Sequence, residues 1–204
     1  MTEVVRLEDI SKFYHTKSGE TQALKDINFT VAENEFVSII GPSGCGKSTI
    51  LSIIAGLEKP SGGTVYINGE ATENKIHAHI GYMLQQDHLF PWLTVKQNAL
   101  LGLDIRHEKT KEKEAYVEAL LRQYELESFS DALPSQLSGG MRQRAAIIRT
   151  LAVNPTVLLL DEPFSALDYQ TRLTVSDDIH SIIKSRKKTA ILVTHDISEA
   201  ISMS

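Results

Sequence analysis

Two stretches of this chain offer backbone amides to an anion. In "GPSGCGKST", Gly41, Pro42, Ser43, Gly44, Cys45, Gly46, Lys47, Ser48 and Thr49, glycines let successive N–H groups wrap a phosphate. Lys47 supplies a mobile positive charge for β- and γ-phosphates, and the Ser48 hydroxyl can ligate magnesium. The stretch follows the apolar run "FVSII" and opens the periodic run "KSTILSIIAGL", the strand-loop-helix context that such a cradle requires. In "LSGGMRQR" (137–144), Ser138, Gly139 and Gly140 stand at what reads as a helix start. The free N–H groups there suit an anion as well. One phosphate chain has no evident need of two cradles.

Acid–base chemistry has candidates at the ends of three apolar runs. "TVLLLD" (156–161) delivers Asp161 and then Glu162 at its C-terminal end, where open α/β sheets bind their ligands. Asp161 is placed to hold magnesium, and Glu162 to polarise an attacking water as general base. His195 ends "TAILVTH", within reach of a γ-phosphate. Gln85 follows "HIGYML", and its amide can ligate the metal or sense the γ-phosphate.

These groups need a sheet to carry them. "EFVSII" (35–40), "HIGYML" (79–84), "TVLLLD" (156–161) and "TAILVT" (189–194) are nearly continuous apolar runs, as expected of parallel strands covered on both faces. Near the N-terminus "VVRLEDI" (4–10), "INFTV" (27–31) and "TVYINGE" (64–70), the last holding the hairpin signal Asn68-Gly69, predict an antiparallel layer. Residues 86–152 read as helix-rich. Within them "KEKEAYVEALLRQYELES" puts Tyr116, Val117, Leu120, Leu121 and Tyr124 on one face of an amphipathic helix. The charged run "RHEKTKEKE" (106–114) reads as its solvated start. The fold expected is α/β, one unit of 204 residues. Its core is 1–85 and 153–204, with a mostly parallel sheet and an N-terminal antiparallel β layer, and 86–152 form an inserted helical lobe.

Composition narrows the partners. Hydrophobic residues at 42% and charged residues at 23% are ordinary globular values. A net charge of −5 argues against nucleic-acid binding driven by overall charge. The single cysteine, Cys45, excludes an intrachain disulfide and suits a reducing compartment. No apolar run approaches the roughly 20 residues of a membrane-spanning helix, and "MTEVVRLEDI" lacks the regions of a signal peptide. His77 and His79 in "IHAHI" would share a strand face and could bind metal, but no third ligand candidate lies near, which favours an ordinary structural role.

Taken together, the motifs resemble those of one family, the ATP-binding subunits of ABC transporters, over essentially the whole chain. "GPSGCGKST" looks like its phosphate loop in a P-loop NTPase core, "LSGGMRQR" its signature motif, "LLLDEP" its second nucleotide motif, "SALD" its D-loop and "TH" its switch histidine. Gln85 lies at its Q-loop, and Tyr14 where the family stacks an aromatic ring on adenine. The resemblance implies ATP and Mg2+ as cofactors and ATP hydrolysis as the activity. It also implies an ATP-dependent head-to-tail homodimer, in which each signature motif closes on the nucleotide held by the other copy. The second cradle thus belongs to the partner's ATP, and Asp168 in the D-loop helps couple the two sites.

The resemblance further implies transmembrane permease subunits, an extracytoplasmic solute-binding protein that acts indirectly, and a cytoplasmic location, peripheral on the inner face of the cell membrane. Leu89, Phe90, Pro91 and Trp92 form either lobe core or a docking groove, and the family receives a permease helix in this region. "LFPW", "DEPFSALD" and the single-cassette layout look like the importer branch that handles nitrate, sulfonate, taurine and similar solutes. The family continues past the position of Ser204 with further strands and a closing helix, so the chain reads as truncated at its C-terminal end. A soluble ABC-type ATPase without a membrane partner is the alternative, but the long coiled coil or second cassette of that group is missing. A GTP-binding switch would need NKxD, and "NKIH" at 74–77 lacks the aspartate.

Overall fold

The computed structural model describes residues 2–17, 19–72, 76–77, 79–165, 167–185 and 187–203. In chain order it runs β1 (Glu3–Thr16), β2 (Gly19–Ala32), β3 (Phe36–Ile40), α1 (Lys47–Ile54), β4 (Gly62–Ile67), β5 (Glu70–Ala71), β6 (Ile80–Met83) and α2 (Val95–Ile105). There follow α3 (Lys111–Gln123), α4 (Gly139–Ala152), β7 (Val157–Asp161), α5 (Tyr169–Ser185), β8 (Thr189–Thr194) and α6 (Ile197–Ser202), with two short 3-10 turns between α3 and α4.

Two four-stranded sheets result, in the orders β2-β1-β4-β5 and β3-β8-β7-β6. The first is antiparallel and the second parallel throughout. Both layers were expected. The apolar runs of the parallel sheet are continuous because each face is covered. On β7, Val157 and Leu159 enter an apolar cluster with α1 and the antiparallel layer. Leu158 and Leu160 enter the other, with α2, α3, α4 and α5. On β8, Ile191 and Val193 share the first cluster, while Ala190 and Leu192 share the second. This is the period-two alternation of a strand packed on both sides.

The expected boundaries shift where backbone pairing outruns the apolar pattern. Strands β1 and β2 extend well past "VVRLEDI" and "INFTV", because the ladder continues through Phe13↔Gln22 and Tyr14↔Thr21 although the side chains there are mostly exposed. Strand β3 is only partly buried, since β8 is its one strand neighbour among the described residues. His77 and His79 precede β6 rather than lying on it, so the shared strand face expected for them does not exist. Among the described residues, no group of three or more His, Cys, Asp or Glu could hold a metal.

The charged run also divides. Residues 106–110 stay outside the helix, Thr110 caps it by accepting from the Lys113 N–H, and α3 stops at Gln123 rather than continuing through Ser128. Glu125 turns left-handed at φ 57°, and the Leu126 N–H returns to the Leu121 carbonyl at 2.7 Å. That end geometry satisfies a terminal carbonyl and lets Leu126 bury fully. Of the run "NKIH", Asn74 and Lys75 lie outside the described residues.

The β1–β4 crossing demands a glycine. Gly63 has φ 86°, and a Cβ there would lie 2.4 Å from the carbonyl oxygens of both Glu8 and Asp9. Gly63→Ala is expected to destabilise the protein by at least about 2 kcal/mol through left-handed strain and backbone overlap. A urea unfolding midpoint equal to that of wild type would contradict this.

Candidate functional site

The phosphate loop leaves the C-terminal end of β3 and enters α1 through Gly46. That residue sits at φ 95°, and a Cβ there would lie 2.7 Å from the Ala23 carbonyl oxygen. Only glycine fits, so the loop's close approach to β2 is built into the sequence. One cleft is lined by Tyr14, by Ser43 through Thr49, by Gln85 and by Glu162. Gly41 and Pro42 contribute from behind. The Lys47 Nζ donates to both of their carbonyls at 2.8 Å and lies 3.9 Å from Glu162 Oε1. Its ammonium is thereby buried with three oxygen partners, one of them charged. The Cys45 thiol is exposed.

Glu162 is the hub. Its carboxylate takes a hydrogen bond from the Gln85 amide at 3.2 Å and stands 3.2 Å from His195 Nδ1. Its backbone is left-handed at φ 44°, fixed by donation from its N–H to the Val193 carbonyl. A non-glycine residue held there is a strained position that the β7–β8 pairing stabilises. The structure therefore gathers Lys47, Gln85, Glu162 and His195 around one carboxylate.

Asp161 faces a different set. Its side chain accepts from the Ser48 hydroxyl at 2.9 Å and from the Tyr82 hydroxyl at 3.3 Å, and Tyr82 in turn lies 3.4 Å from Ser52 Oγ. Burial raises the Asp161 pKa above the usual carboxylate range, with the Ser48 and Tyr82 hydrogen bonds pulling the other way. Tyr82 is pushed up to about 12, chiefly by burial, with the Asp161 charge adding to it. A carboxylate and a hydroxyl, both hard oxygen donors, fit magnesium beside a phosphate chain. Gln85, expected as a metal ligand or γ-phosphate sensor, donates to Glu162 here.

The second cradle lies apart from this cleft. Ser138 caps α4, its hydroxyl accepting from the Met141 N–H at 3.3 Å, while its own proton stays available for donation. Neither Ser138, Gly139, Gly140 nor Asp168 lines the cleft of the phosphate loop. Gly139 borders a second hollow, shared with Gln85, Asp87, Arg142 and Ser165. Asp168 caps α5: its carboxylate accepts from the Thr171 N–H and hydroxyl at 3.0 and 2.7 Å, which holds its pKa down. Ala166 of "SALD" lies outside the described residues.

The contacts of four residues were not foreseen. Gln143, buried on α4, donates to the Pro163 carbonyl at 2.5 Å and so ties the signature helix to the residue after Glu162. Arg142 pairs with Asp87 at 3.0 Å, and Arg149 donates to the Asp87 and His88 carbonyls at 2.7 Å. Asn98, fully buried, accepts from the Phe90 N–H and donates to the Phe90, Leu93 and Thr94 carbonyls. Polar residues at the apolar period of a helix, as Gln143 and Asn98 are, were the one available signal. The apolar cluster itself splits: Leu89 is buried, whereas Phe90 and Trp92 are 39% and 69% exposed, their ring centroids 5.2 Å apart.

Comparison with known proteins agrees with this geometry. The family model described as ABC transporter matches residues 24–165. An uncharacterized ABC transporter ATP-binding protein, YtlC of Bacillus subtilis (strain 168), is 50% identical over 98% of this chain and 76% of its own length. The aliphatic sulfonates import ATP-binding protein SsuB of Bacillus cereus (strain ZK / E33L) is 43% identical over 98% of this chain and 78% of its own. Among solved structures, the dimeric bacterial ABC transporter cassette MJ0796 superposes with TM-score 0.88 at 38% identity, covering 97% of this chain and 90% of that one. A second structure of MJ0796, a dimer in a post-hydrolysis state bound to ADP and Pi, gives 0.87 at the same identity and coverage. With a matched family model over more than half its length, and relatives along nearly all of it, this chain belongs to the ABC transporter family as an ATP-binding, ATP-hydrolysing subunit.

Proposed function

We propose that this chain powers import of a small anion such as a sulfonate, nitrate or taurine, docked as a pair of copies on the cytoplasmic face of membrane permease subunits. The observation that carries the membrane part is the exposed Phe90–Trp92 pair. It follows Gln85 by a few residues and stands on the Asn98 pedestal. Two exposed aromatic rings on a loop held by four hydrogen bonds suit a protein partner better than solvent. The relative named for aliphatic sulfonate import supports the solute class, and an extracytoplasmic solute-binding protein would act through the permease. Among the described residues no helix is long and apolar enough to cross a membrane, in keeping with attachment through a partner. Residues 86–152 form the lobe that carries the docking loop.

In the catalytic step Lys47 exchanges the loop carbonyls for phosphate oxygens, and Tyr14 stacks on adenine. Ser48 and Asp161 would hold Mg2+, which would supply charge neutralisation at the phosphates. Glu162 takes a proton from the water that attacks the γ-phosphorus as the bond to the bridging oxygen breaks. His195 orients that carboxylate, and Gln85 links it to the docking loop. The signature amides of Ser138, Gly139 and Gly140, outside the lining of their own chain's cleft, complete the γ-phosphate site of the partner copy. That both MJ0796 structures are dimers supports the pairing of copies.

Trp92→Ala is expected to reduce co-purification with the permease and transport at least about tenfold, the loss of one interface anchor, while ATP affinity in the isolated subunit stays at the wild-type value. Undiminished transport in cells carrying Trp92→Ala would defeat the docking assignment.

A further inference from the structure

Tyr14 is braced by two side chains to which no motif points. The Lys12 Nζ lies 5.1 Å from the centre of the Tyr14 ring, and the Tyr14 hydroxyl donates to Glu58 Oε2 at 2.9 Å. Lys12 and Glu58 close the triangle with an ion pair at 3.1 Å. The Lys12 ammonium is pinned further by donation to the Lys59 carbonyl at 2.7 Å. Its side chain is only 14% exposed, and that of Glu58 27%. Lys12 and Tyr14 share a face of β1 by strand periodicity, whereas Glu58 comes from the turn after α1, the helix that opens in the phosphate loop. The Tyr14 hydroxyl also lies 3.4 Å from Thr49 Oγ1. A ring on a mostly exposed strand extension is thus held to the phosphate loop by its hydroxyl and by a cation near its face.

We propose that Lys12 and Glu58 are positioning residues for purine recognition, fixing the Tyr14 ring so that Lys12 backs it while its open side receives the base. This rests on the reading of Tyr14 as the adenine platform. A ring already ordered gives up less rotamer freedom when a base stacks on it, and the lysine charge adds attraction to the ring's π-face. A purine, with its larger stacking area, gains more from that order than a pyrimidine. The brace therefore raises selectivity for ATP over CTP and not affinity for triphosphates in general.

The test is titration calorimetry of ATP and of CTP on the protein and on Tyr14→Ala, Lys12→Met, Glu58→Gln and Lys12→Arg. Tyr14→Ala should weaken ATP binding about five- to a hundredfold and CTP binding less. Lys12→Met and Glu58→Gln should each lower the ATP-over-CTP preference about two- to fivefold. Lys12→Arg should keep the wild-type preference, because a guanidinium also pairs with carboxylate and stacks on an aromatic face. If Tyr14→Ala lowers the preference while Lys12→Met and Glu58→Gln leave it at wild type, or weaken ATP and CTP alike, the brace is refuted and the platform stands. If Tyr14→Ala itself leaves the preference unchanged, the platform reading falls and the brace with it.

Discussion

Glu162→Gln keeps ATP bound and slows its hydrolysis at least about a hundredfold, the usual contribution of a positioned general base. The substitution preserves shape and the left-handed backbone at φ 44°, and a glutamine can still contact the Gln85 amide and His195. What it removes is the ability to take a proton from water, together with the negative charge 3.9 Å from Lys47. Losing that charge frees the ammonium for phosphate, so ATP affinity should hold or rise. Because the signature amides lie outside their own chain's cleft, the unhydrolysed nucleotide should collect copies in pairs. Size-exclusion chromatography with ATP should show a dimer for Glu162→Gln, and its loss on adding Ser138→Arg, which places a bulky side chain where the partner's γ-phosphate would sit. Phosphate release at the wild-type rate would remove Glu162 from the role of base.

The parallel sheet and the gathering of Asp161, Glu162 and His195 at its edge were legible in the sequence for one reason: strands buried on both faces leave an uninterrupted apolar signal, and the C-terminal ends of two of them then locate these three residues. The phosphate loop was legible because its glycine, lysine and serine spacing sits between an apolar run and a helical run. Contacts between distant segments were not. Nothing in "GLEKPSGG" marks Glu58 as the partner of a tyrosine 44 positions earlier, and nothing in "IGYML" marks Tyr82 as a donor to Asp161. Each pairing exists only once the elements pack. The Leu89–Trp92 cluster shows the same limit from the other side. Its composition suited core or groove equally, and the four hydrogen bonds of Asn98 are what turn Phe90 and Trp92 outward while Leu89 stays in.

Asp161→Asn should lower Mg2+-dependent ATP hydrolysis at least about a hundredfold, since charge stabilisation by a bound metal contributes several kcal/mol to such a reaction, and it should at the same time stabilise the nucleotide-free protein. The reason is one buried carboxylate with two tasks. At 4% exposure, Asp161 is ionised only at a cost, and its pKa is raised chiefly by burial, more than the Ser48 and Tyr82 hydrogen bonds lower it. A group whose folded pKa exceeds its unfolded value weakens the fold as pH rises through that interval, and the deficit persists above it. Above its raised folded pKa the wild type carries this deficit. The asparagine side chain, neutral and of equal size, can still accept from Ser48, and its amide can donate to a reoriented Tyr82 hydroxyl. Thermal melts without nucleotide should therefore show Asp161→Asn above wild type near neutral pH, with the gap closing as pH falls toward the ordinary carboxylate range. Manganese titration followed by electron paramagnetic resonance, with ATP present, should show weaker metal binding in the same variant. A variant that melts at or below the wild-type temperature at neutral pH would refute the buried-charge deficit, and one that retains wild-type metal affinity would remove Asp161 from the metal site.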